Sequence, residues 1–175
     1  RVLMKVLLTE QVIREKVIDL AIKINISEYV KTRDEGKRLP PIFICVLNGA
    51  AVFFTDLVRE LDFDLELDFV RAKSYEGKDN SGGVKILKDI ESDIMDRDVY
   101  IVEDIIDSGE TMRELFLHLT TKSPRSIKIV TLLTRKGCCQ PKDYWGIEIG
   151  NEWVVGYGLD DNKLKRNLPD IYDLK

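Results

Sequence analysis

The sequence predicts an α/β fold, a single domain built on a mostly parallel central sheet flanked by helices. Two stretches, residues 42–61 and 99–119, repeat the same order of a short apolar strand, a turn of small residues and an amphipathic helix. Strand, turn and helix in this order form the crossover units that connect parallel strands. A length of 175 residues suits one domain with a substantial core. We therefore expect residues 1–175 to form one domain.

Composition and charge argue against several classes of protein. Hydrophobic residues make up 44% of the chain, charged residues 33%, and the net charge is −4, which is ordinary for a globular protein. A net negative charge argues against a broad nucleic-acid surface. The apolar runs are too short for a membrane span or a secretory signal. Cys45, Cys138 and Cys139 lack the spacing of a redox or metal motif, so we expect thiols and a cytoplasmic protein.

The N-terminal part of the chain predicts a helix and then a surface connection. Thr9 is a suitable N-cap residue. The apolar residues after it recur at helical spacing and form one stripe: Val12, Ile13, Val17, Leu20, Ala21 and Ile24. Residues 31–41 are charged and end in two prolines, which indicates a surface connection to the first central strand.

Residues 42–47 predict that first strand, because a continuous apolar run suits a buried parallel sheet. The strand ends at a turn of small residues, 48–50. The helix that follows has an apolar face made of Val52, Phe53, Phe54, Leu57, Val58 and Leu61. The next strand is predicted by alternation, with Leu65, Leu67 and Phe69 between Glu66, Asp68 and Val70.

Residues 73–83 form a long polar loop, because residues 84–87 are apolar enough to return as a strand. The loop has almost no apolar residue and contains three glycines, so we expect it to be mobile. A loop of this kind is typical of a lid that closes over a site. A hairpin tip without a function would have the same composition.

The most informative stretch is 99–111. Residues 99–102 predict a buried strand, and Glu103 and Asp104 come where it ends. In open α/β sheets, ligands bind beyond the carboxyl ends of the strands, so these carboxylates are expected to face a site. Residues 108–111 then turn into a helix that carries Met112, Leu115, Phe116 and Leu119. The hydroxyls of Ser108 and Thr111 join the helix N-terminal amides in a phosphate-binding turn.

Carboxylates beside a phosphate-binding turn would repel a bare phosphate. The combination therefore favours a ligand that also brings hydroxyl groups and a metal ion. Two adjacent carboxylates can accept hydrogen bonds from a vicinal diol, and Mg²⁺ prefers oxygen ligands. A ribose phosphate with Mg²⁺ meets both requirements, and Asp107 remains available for proton transfer.

The C-terminal third predicts three further strands. Residues 127–133 are β-rich and follow a break at Pro124. Thr134, Arg135 and Lys136 stand at the carboxyl end of that strand, on the same edge as the two adjacent acids. Residues 147–149 and 153–157 predict two short strands, and a turn at 158–161 follows.

Residues 102–109, Val-Glu-Asp-Ile-Ile-Asp-Ser-Gly, resemble the phosphoribosyl-pyrophosphate (PRPP) motif of the type I phosphoribosyltransferases, and the resemblance extends from residue 42 to residue 166. Within that family the chain most resembles the members that act on hypoxanthine and guanine. The resemblance implies the type I phosphoribosyltransferase fold, with a small hood made by the N-terminal helix and the C-terminal segment. It implies purine salvage by Mg²⁺-dependent transfer of phosphoribose from PRPP to a 6-oxopurine, giving a nucleoside monophosphate and pyrophosphate. It also implies a homodimer or homotetramer.

The resemblance assigns the ribose, the phosphate and the proton transfer to the motif. Asp107 corresponds to the general base toward the purine ring nitrogen. Ribose and phosphate are assigned to Glu103, Asp104, Asp107, Ser108, Gly109, Glu110 and Thr111, with Glu110 expected to point outward. The metal is assigned to Glu103, Asp104 and Asp160.

The resemblance assigns pyrophosphate binding to Leu47, Asn48, Gly49, Ser74, Tyr75 and Arg166. At residues 47–49 the family uses a strained, often cis, peptide to present backbone groups to pyrophosphate. Asn48 stands where many relatives carry Lys or Arg, which removes a side-chain charge from this position. A simple tight turn is the alternative for the Asn48-Gly49 pair.

The resemblance assigns the purine to Arg135, Trp153, Val154 and Asp160. Trp153 matches a ring that stacks on the purine, and Val154 offers its backbone. Arg135 falls where relatives usually place a lysine that donates to the 6-oxo group, and Lys136 is next to it. The sequence leaves open which cation meets the base, but both favour an oxygen at C6 over an amino group. A core tryptophan and a solvated basic pair are the alternatives.

Two other functions remain open at this stage. One is an enzyme of the same fold that is specific for xanthine or a pyrimidine. The other is a non-catalytic regulator that senses PRPP and binds nucleic acid, which would be expected to show a basic face. A P-loop kinase is excluded because the sequence has no Gly-x-x-x-x-Gly-Lys-Ser/Thr.

Overall fold

The computed structural model describes residues 4–35, 38–75, 83–138 and 140–174, without the side chains of residues 35, 74 and 75. In chain order the elements are β1 (Lys5–Leu8), α1 (Glu10–Glu35), β2 (Ile42–Leu47), α2 (Ala51–Arg59), β3 (Glu66–Tyr75), β4 (Gly83–Lys88), β5 (Asp98–Ile106), α3 (Glu110–Thr120), β6 (Ser126–Arg135), β7 (Tyr144–Ile149), β8 (Val154–Val155) and β9 (Ile171–Asp173). In the part of the chain so described, no helix is both long and apolar enough to cross a membrane.

The main sheet has six strands in the order β4-β3-β2-β5-β6-β7. All neighbours are parallel except β3 and β4, which are antiparallel. This confirms the predicted α/β fold with a mostly parallel sheet. The chain leaves β2 on one side to form β3 and later returns to the other side of β2 to form β5. The carboxyl ends of β2 and β5 therefore border a crevice of the kind that binds ligands in open α/β sheets.

Apolar side chains cover both faces of the main sheet, which explains the continuous apolar runs of β2 and β5. Phe43, Cys45, Tyr100 and Val102 pack in one buried cluster with α1 and α2. The alternate residues of the same two strands pack in a second cluster with α3. Each strand is therefore buried on both faces over most of its length.

Helix α1 is longer than the predicted helical stripe and packs against α2 and β7. Val12 and Ile13 donate their amides to Oγ1 (3.4 Å) and the carbonyl oxygen (3.0 Å) of Thr9, as expected of an N-cap residue. Most of the predicted stripe is buried, but Val12 is 36% exposed, so its assignment to the stripe was wrong.

A second, antiparallel sheet has the order β1-β9-β8. Lys5 of β1 and Val154 of β8 both pair with Asp173 of β9. The residues before α1 thus contribute the N-terminal part of this small sheet, whereas α1 itself lies on the main sheet. We call residues 154–173 together with β1 the hood.

Strand β3 exists as predicted, and residues on both of its faces contact the core, including Phe69 on one face and Val70 on the other. Leu67 is 48% exposed and Phe69 is 37% exposed, whereas Asp68 and Val70 are buried. The amides of Phe69, Glu91 and Ser92 donate to the Asp68 carboxylate at 2.6, 2.9 and 2.7 Å. Because these donors replace water, an acid can be buried in the strand, which the alternation of residue types does not reveal.

Strand β5 is longer than predicted and contains the two adjacent acids rather than ending before them. Its pairing with β2 stops at Cys45 and Val102. Its pairing with β6 continues to Ile106 and Thr134. The acids therefore lie inside a strand, just beyond the point where its pairing with β2 stops.

Candidate active site

A cleft of about 260 Å³ lies at the carboxyl ends of β2 and β5. It is lined by four segments of the chain: the end of β2 with the turn after it, one residue of β3, the end of β5 with the turn into α3, and the hood. The sequence-predicted residues that line it are Leu47, Gly49, Glu103, Asp104, Asp107, Ser108, Gly109, Thr111, Asp160 and Arg166. The structure thus gathers most of the residues predicted to bind PRPP into one cleft.

The acid pair, Glu103 and Asp104, carries charge that the protein does not neutralise well. Asp104 is buried, and its Oδ1 accepts the amide of Ile105 at 2.8 Å. Burial, followed by the charge of Asp104, raises the pKa of Glu103 well above its usual value. Burial also raises the pKa of Asp104, although hydrogen bonds from Glu103 and Ile105 and the charge of Arg166 oppose the shift. The pair therefore favours a cation or hydroxyl donors in the cleft.

The turn after β2 lies directly against Asp104. The peptide bond between Leu47 and Asn48 is cis. A Cβ atom at Gly49 would overlap Oδ2 of Asp104, and a Cβ atom at Gly158 of the hood would overlap the carbonyl oxygen of Gly49. Glycine is required at both positions, because the backbone at Gly49 lies against the Asp104 side chain and the backbone at Gly158 lies against the carbonyl group of Gly49. Leu47 and Gly49 line the cleft, whereas Asn48 is not among its lining residues.

The predicted phosphate-binding turn begins α3. Gly109 is the N-cap with φ of 77° and provides no side-chain cap. The amide of Glu110 donates to Oγ of Ser108 at 3.4 Å. Ser108, Gly109 and Thr111 line the cleft, whereas Glu110 is exposed and does not line it. The positive end of the α3 dipole thus faces the cleft.

Gln140 is a neighbour of this turn that sequence reasoning missed. A Cβ atom at Gly109 would overlap Cγ of Gln140, so the glutamine side chain packs directly on the turn. Gln140 follows β6 in a loop without a recognisable motif, and nothing in the sequence indicates the contact. The sequence analysis also missed Ala72 of β3 and Met112 of α3, which line the cleft.

Asp107 forms an ion pair with Arg135. Nε of Arg135 lies 3.2 Å from Oδ1 of Asp107, whose side chain is 74% exposed. Nη1 of Arg135 donates to the carbonyl oxygens of Gly150 and Glu152, each at 2.8 Å. The guanidinium thus lies beside the cleft rather than in its lining.

The hood contributes a second ion pair to the cleft. Nη2 of Arg166 lies 2.7 Å from Oδ1 of Asp160, and Nη1 of Arg166 donates to the carbonyl oxygen of Gly158 at 2.5 Å. The other Asp160 oxygen accepts the amide of Lys163 at 2.7 Å. Both Asp160 oxygens therefore have partners within the hood.

The remaining predicted residues lie outside the cleft lining. Trp153 is 58% exposed, and Val154 is buried in β8. Ser74 and Tyr75 end β3, and their side chains lie outside the described residues. Most of the predicted lid, residues 76–82, lies outside the described residues as well.

The carboxylates of the cleft suit one common mode of Mg²⁺ binding. In residues 4–35, 38–75, 83–138 and 140–174, no three His, Cys, Asp or Glu side chains are grouped as a metal site. Mg²⁺ is commonly held by one or two protein carboxylates together with substrate oxygens and water. The raised pKa values and cleft location of Glu103 and Asp104 fit that mode of binding.

Comparison with known proteins gives consistent matches. The family profile of the phosphoribosyl transferase domain matches residues 10–162. A hypoxanthine-guanine phosphoribosyltransferase of Bacillus subtilis is 41% identical, over 98% of this chain and 93% of that protein. A hypoxanthine-guanine-xanthine phosphoribosyltransferase of Tritrichomonas foetus is 38% identical, over 98% of this chain and 91% of that protein.

A solved structure shows the same similarity in three dimensions. The crystal structure of a hypoxanthine phosphoribosyltransferase from Staphylococcus aureus superposes with a TM-score of 0.86 at 35% identity. The match covers 98% of this chain and 91% of that one.

Proposed function

This chain belongs to the phosphoribosyltransferase family, and we propose that it acts in purine salvage, transferring phosphoribose from PRPP to hypoxanthine and guanine. The observation that carries the proposal is the cleft itself. It joins an acid pair of raised pKa, a phosphate-binding turn and Asp107 at the carboxyl ends of β2 and β5. The relatives of similar length that bear hypoxanthine-guanine names support the choice of base.

The ribose 5-phosphate part of PRPP is assigned to the motif and the turn after it. The amides at the start of α3 and the hydroxyls of Ser108 and Thr111 bind the phosphate. Glu103 and Asp104 accept hydrogen bonds from the ribose hydroxyls. Glu110 stays outside this contact because it is exposed away from the cleft lining.

The pyrophosphate part is assigned to residues 47–49 and to Arg166. The backbone at Leu47 and Gly49 faces the cleft and supplies polar groups without a side-chain charge. Arg166 brings a guanidinium to the opposite wall, where it is held by Asp160 and Gly158. Ser74 and Tyr75 complete the assignment at the end of β3.

Mg²⁺ is proposed as the cofactor, held by Glu103 and Asp104 together with substrate oxygens and water. Bound there, it supplies positive charge to the departing pyrophosphate. Asp160 is the third assigned ligand and would bind through an oxygen now bonded to Arg166 or to the Lys163 amide.

The purine is placed between Asp107 and the 150–154 segment. Asp107 accepts the proton from the ring nitrogen that attacks C1 of the ribose. Nη2 of Arg135 has no hydrogen-bond partner within the described part of the chain, so it can donate to the 6-oxo oxygen. Exposed Trp153 stacks on the ring, and Val154 offers its backbone. Asp160 closes the pocket from the hood side.

A base panel tests the proposal. Purified protein is incubated with PRPP, Mg²⁺ and each of hypoxanthine, guanine, xanthine, adenine, uracil and orotate, beside an Asp107→Asn variant. We expect turnover of 6-oxopurines, at least about a hundredfold slower in the variant because general-base catalysis is lost. Saturable PRPP binding without turnover of any base would instead favour the regulator, and turnover of xanthine or a pyrimidine alone would favour a different specificity.

We further propose that the protein is a cytoplasmic homodimer or homotetramer. Burial raises the pKa of Cys45 to about 12, with smaller contributions from the charges of Glu103 and Asp104, so this cysteine stays a thiol. Both described cysteines are unpaired, which suits a reducing compartment. The exposed apolar residues Leu67 and Phe69 of β3 offer a face for a second copy of the chain.

A further inference from the structure

Arg135 makes more contacts than recognition of a base requires. Its guanidinium donates Nε–H to Asp107 at 3.2 Å and both Nη1 donors to the carbonyl oxygens of Gly150 and Glu152 at 2.8 Å. The Arg135 side chain is 19% exposed, so its hydrogen bonds to the two carbonyl groups are partly shielded from water, whereas the Asp107 side chain is 74% exposed. One side chain thus connects the end of β6, the acid after β5 and the segment that leads to Trp153.

The planarity of the guanidinium makes this connection rigid. Five N–H donors lie in one plane, and the two on Nη1 reach carbonyl groups two residues apart, which fixes the course of the backbone between them. A lysine ammonium at the end of a flexible chain supplies no such planar fork. The contact pattern is therefore specific to arginine at this position.

The side chain of Glu152 does not provide an alternative anchor. Its Oε2 atom is buried and has no hydrogen-bond partner in the described part of the chain. Its backbone carbonyl, in contrast, accepts from Arg135. Strand β7 ends at Ile149 and β8 begins at Val154, so residues 150–153 lie outside both sheets. The amide of Leu174 holds one end of this segment by donating to the carbonyl oxygen of Trp153 at 2.9 Å, and Arg135 contacts its backbone at residues 150 and 152.

We propose that Arg135 is a positioning residue that holds the 150–153 segment and Asp107 in fixed relation before any ligand binds. Under the proposed function, on which the kinetic part of this inference rests, the base then meets its proton acceptor and its stacking ring already aligned. Binding of the base does not have to order the segment, so less of the binding free energy is lost to conformational entropy. Nη2 stays available to the ligand.

The first test needs no substrate. Hydrogen–deuterium exchange of the ligand-free protein is followed by mass spectrometry in peptides covering 148–156, for wild type, Arg135→Gln and Arg135→Lys. We expect exchange of residues 150–153 to rise about tenfold to a hundredfold in Arg135→Gln, the range for lost charged hydrogen bonds, and less in Arg135→Lys. Glu152→Gln is the matched control, because it alters the side chain and leaves the carbonyl that Arg135 contacts.

The second test separates positioning from a simple contact with the base. We expect Arg135→Gln to raise the KM for hypoxanthine about tenfold and to change the KM for PRPP less than about twofold. A residue that only contacts the base would change the KM for hypoxanthine without altering exchange in the ligand-free protein. Unchanged exchange in Arg135→Gln, or an equal rise in Glu152→Gln, would overturn the proposal. Failure of the base panel would overturn the proposed function and leave the exchange result standing.

Discussion

At the scale of single residues, Gly49 of the cleft has no room for a side chain. A methyl group there would overlap the Asp104 carboxylate, so Gly49→Ala must displace either the turn or the acid. We expect kcat/KM to fall at least about a hundredfold, because small displacements of catalytic groups have effects of this size. We also expect a loss of about 1–3 kcal/mol in the free energy of unfolding.

Steady-state kinetics and urea denaturation measure these two effects. Gly83→Ala is the control for stability, because a Cβ atom at Gly83 meets no atom within 4 Å. A Gly49→Ala protein with wild-type kcat/KM would show that the close approach of the turn to Asp104 is not required.

Glu103 is predicted to reduce the stability of the ligand-free protein. Its pKa is raised because burial and the neighbouring charge of Asp104 disfavour the ionised form. A raised folded-state pKa means that ionisation at neutral pH destabilises the fold. We therefore expect Glu103→Gln to increase the free energy of unfolding by about 1 kcal/mol at pH 7, without Mg²⁺, while activity falls. Urea denaturation at pH 7 checks this, and decreased stability would contradict it.

At the scale of elements, Asp68 connects β3 by hydrogen bonds to residues 91 and 92, which follow β4. Although burial raises its pKa, the hydrogen bonds from Ser92, Phe69 and Glu91 outweigh burial and hold the pKa below 3.8. The ionised carboxylate therefore stabilises the fold fully at a pH above its unfolded-state pKa. This stabilisation is lost as the pH falls through the lower folded-state pKa. We expect Asp68→Asn to cost about 1–3 kcal/mol at pH 7, and the difference from wild type to shrink on acidification.

Chemical denaturation between pH 7 and pH 3 measures this dependence. Asp64→Asn is the control, since Asp64 is exposed and also precedes the outer part of the sheet. An Asp68→Asn cost that stays constant over this pH range would show that the lost side chain, rather than its charge, matters.

The elements also show how far sequence reasoning reaches. The main sheet could be predicted from apolar runs and crossover units. Burial of β2 and β5 on both faces requires a continuous apolar run, and such a run is visible within the sequence of a single strand. The burial of Asp68 in β3 did not follow, since two of the donors that satisfy its carboxylate come from residues 91 and 92. The pairing of β1 with β9 was also missed. Contacts between segments that are distant in the chain cannot be detected in the local periodicity of the sequence.

The same limit applies to the cleft. The motif at residues 102–109 predicted the acids and the turn into α3 that line the cleft, because consecutive residues carry them. Sequence alone did not reveal that Arg135 contacts Asp107 and the carbonyl groups of residues 150 and 152, since these residues lie far apart in the chain. Gln140 and Gly158 were missed for the same reason, because each acts through a neighbour in space.

At the scale of the whole molecule, the exposed face of β3 is predicted to join copies of the chain. Leu67→Asp places a charge on this face, and Leu67 is already 48% exposed in one chain. We therefore expect Leu67→Asp to reduce the assembly mass by at least half while the fold persists. Light scattering after size-exclusion chromatography measures the mass, and circular dichroism monitors the fold.

Met95→Asp is the matched control for this prediction. Met95 is 63% exposed but lies outside β3, so the substitution should leave the mass unchanged. If Leu67→Asp leaves the mass unchanged, or if Met95→Asp lowers it equally, the proposed face is wrong.

The layered contact of Asp104, Gly49 and Gly158 has a consequence for how the sequence can diverge. Three segments that are far apart in the chain meet there with no room for an added methyl group on either side of the turn. A change at one glycine alters what the other can tolerate, so their mutational effects should be epistatic. A new residue at one of these positions therefore requires a compensating substitution at another. The turn, the acid and the hood are expected to evolve together.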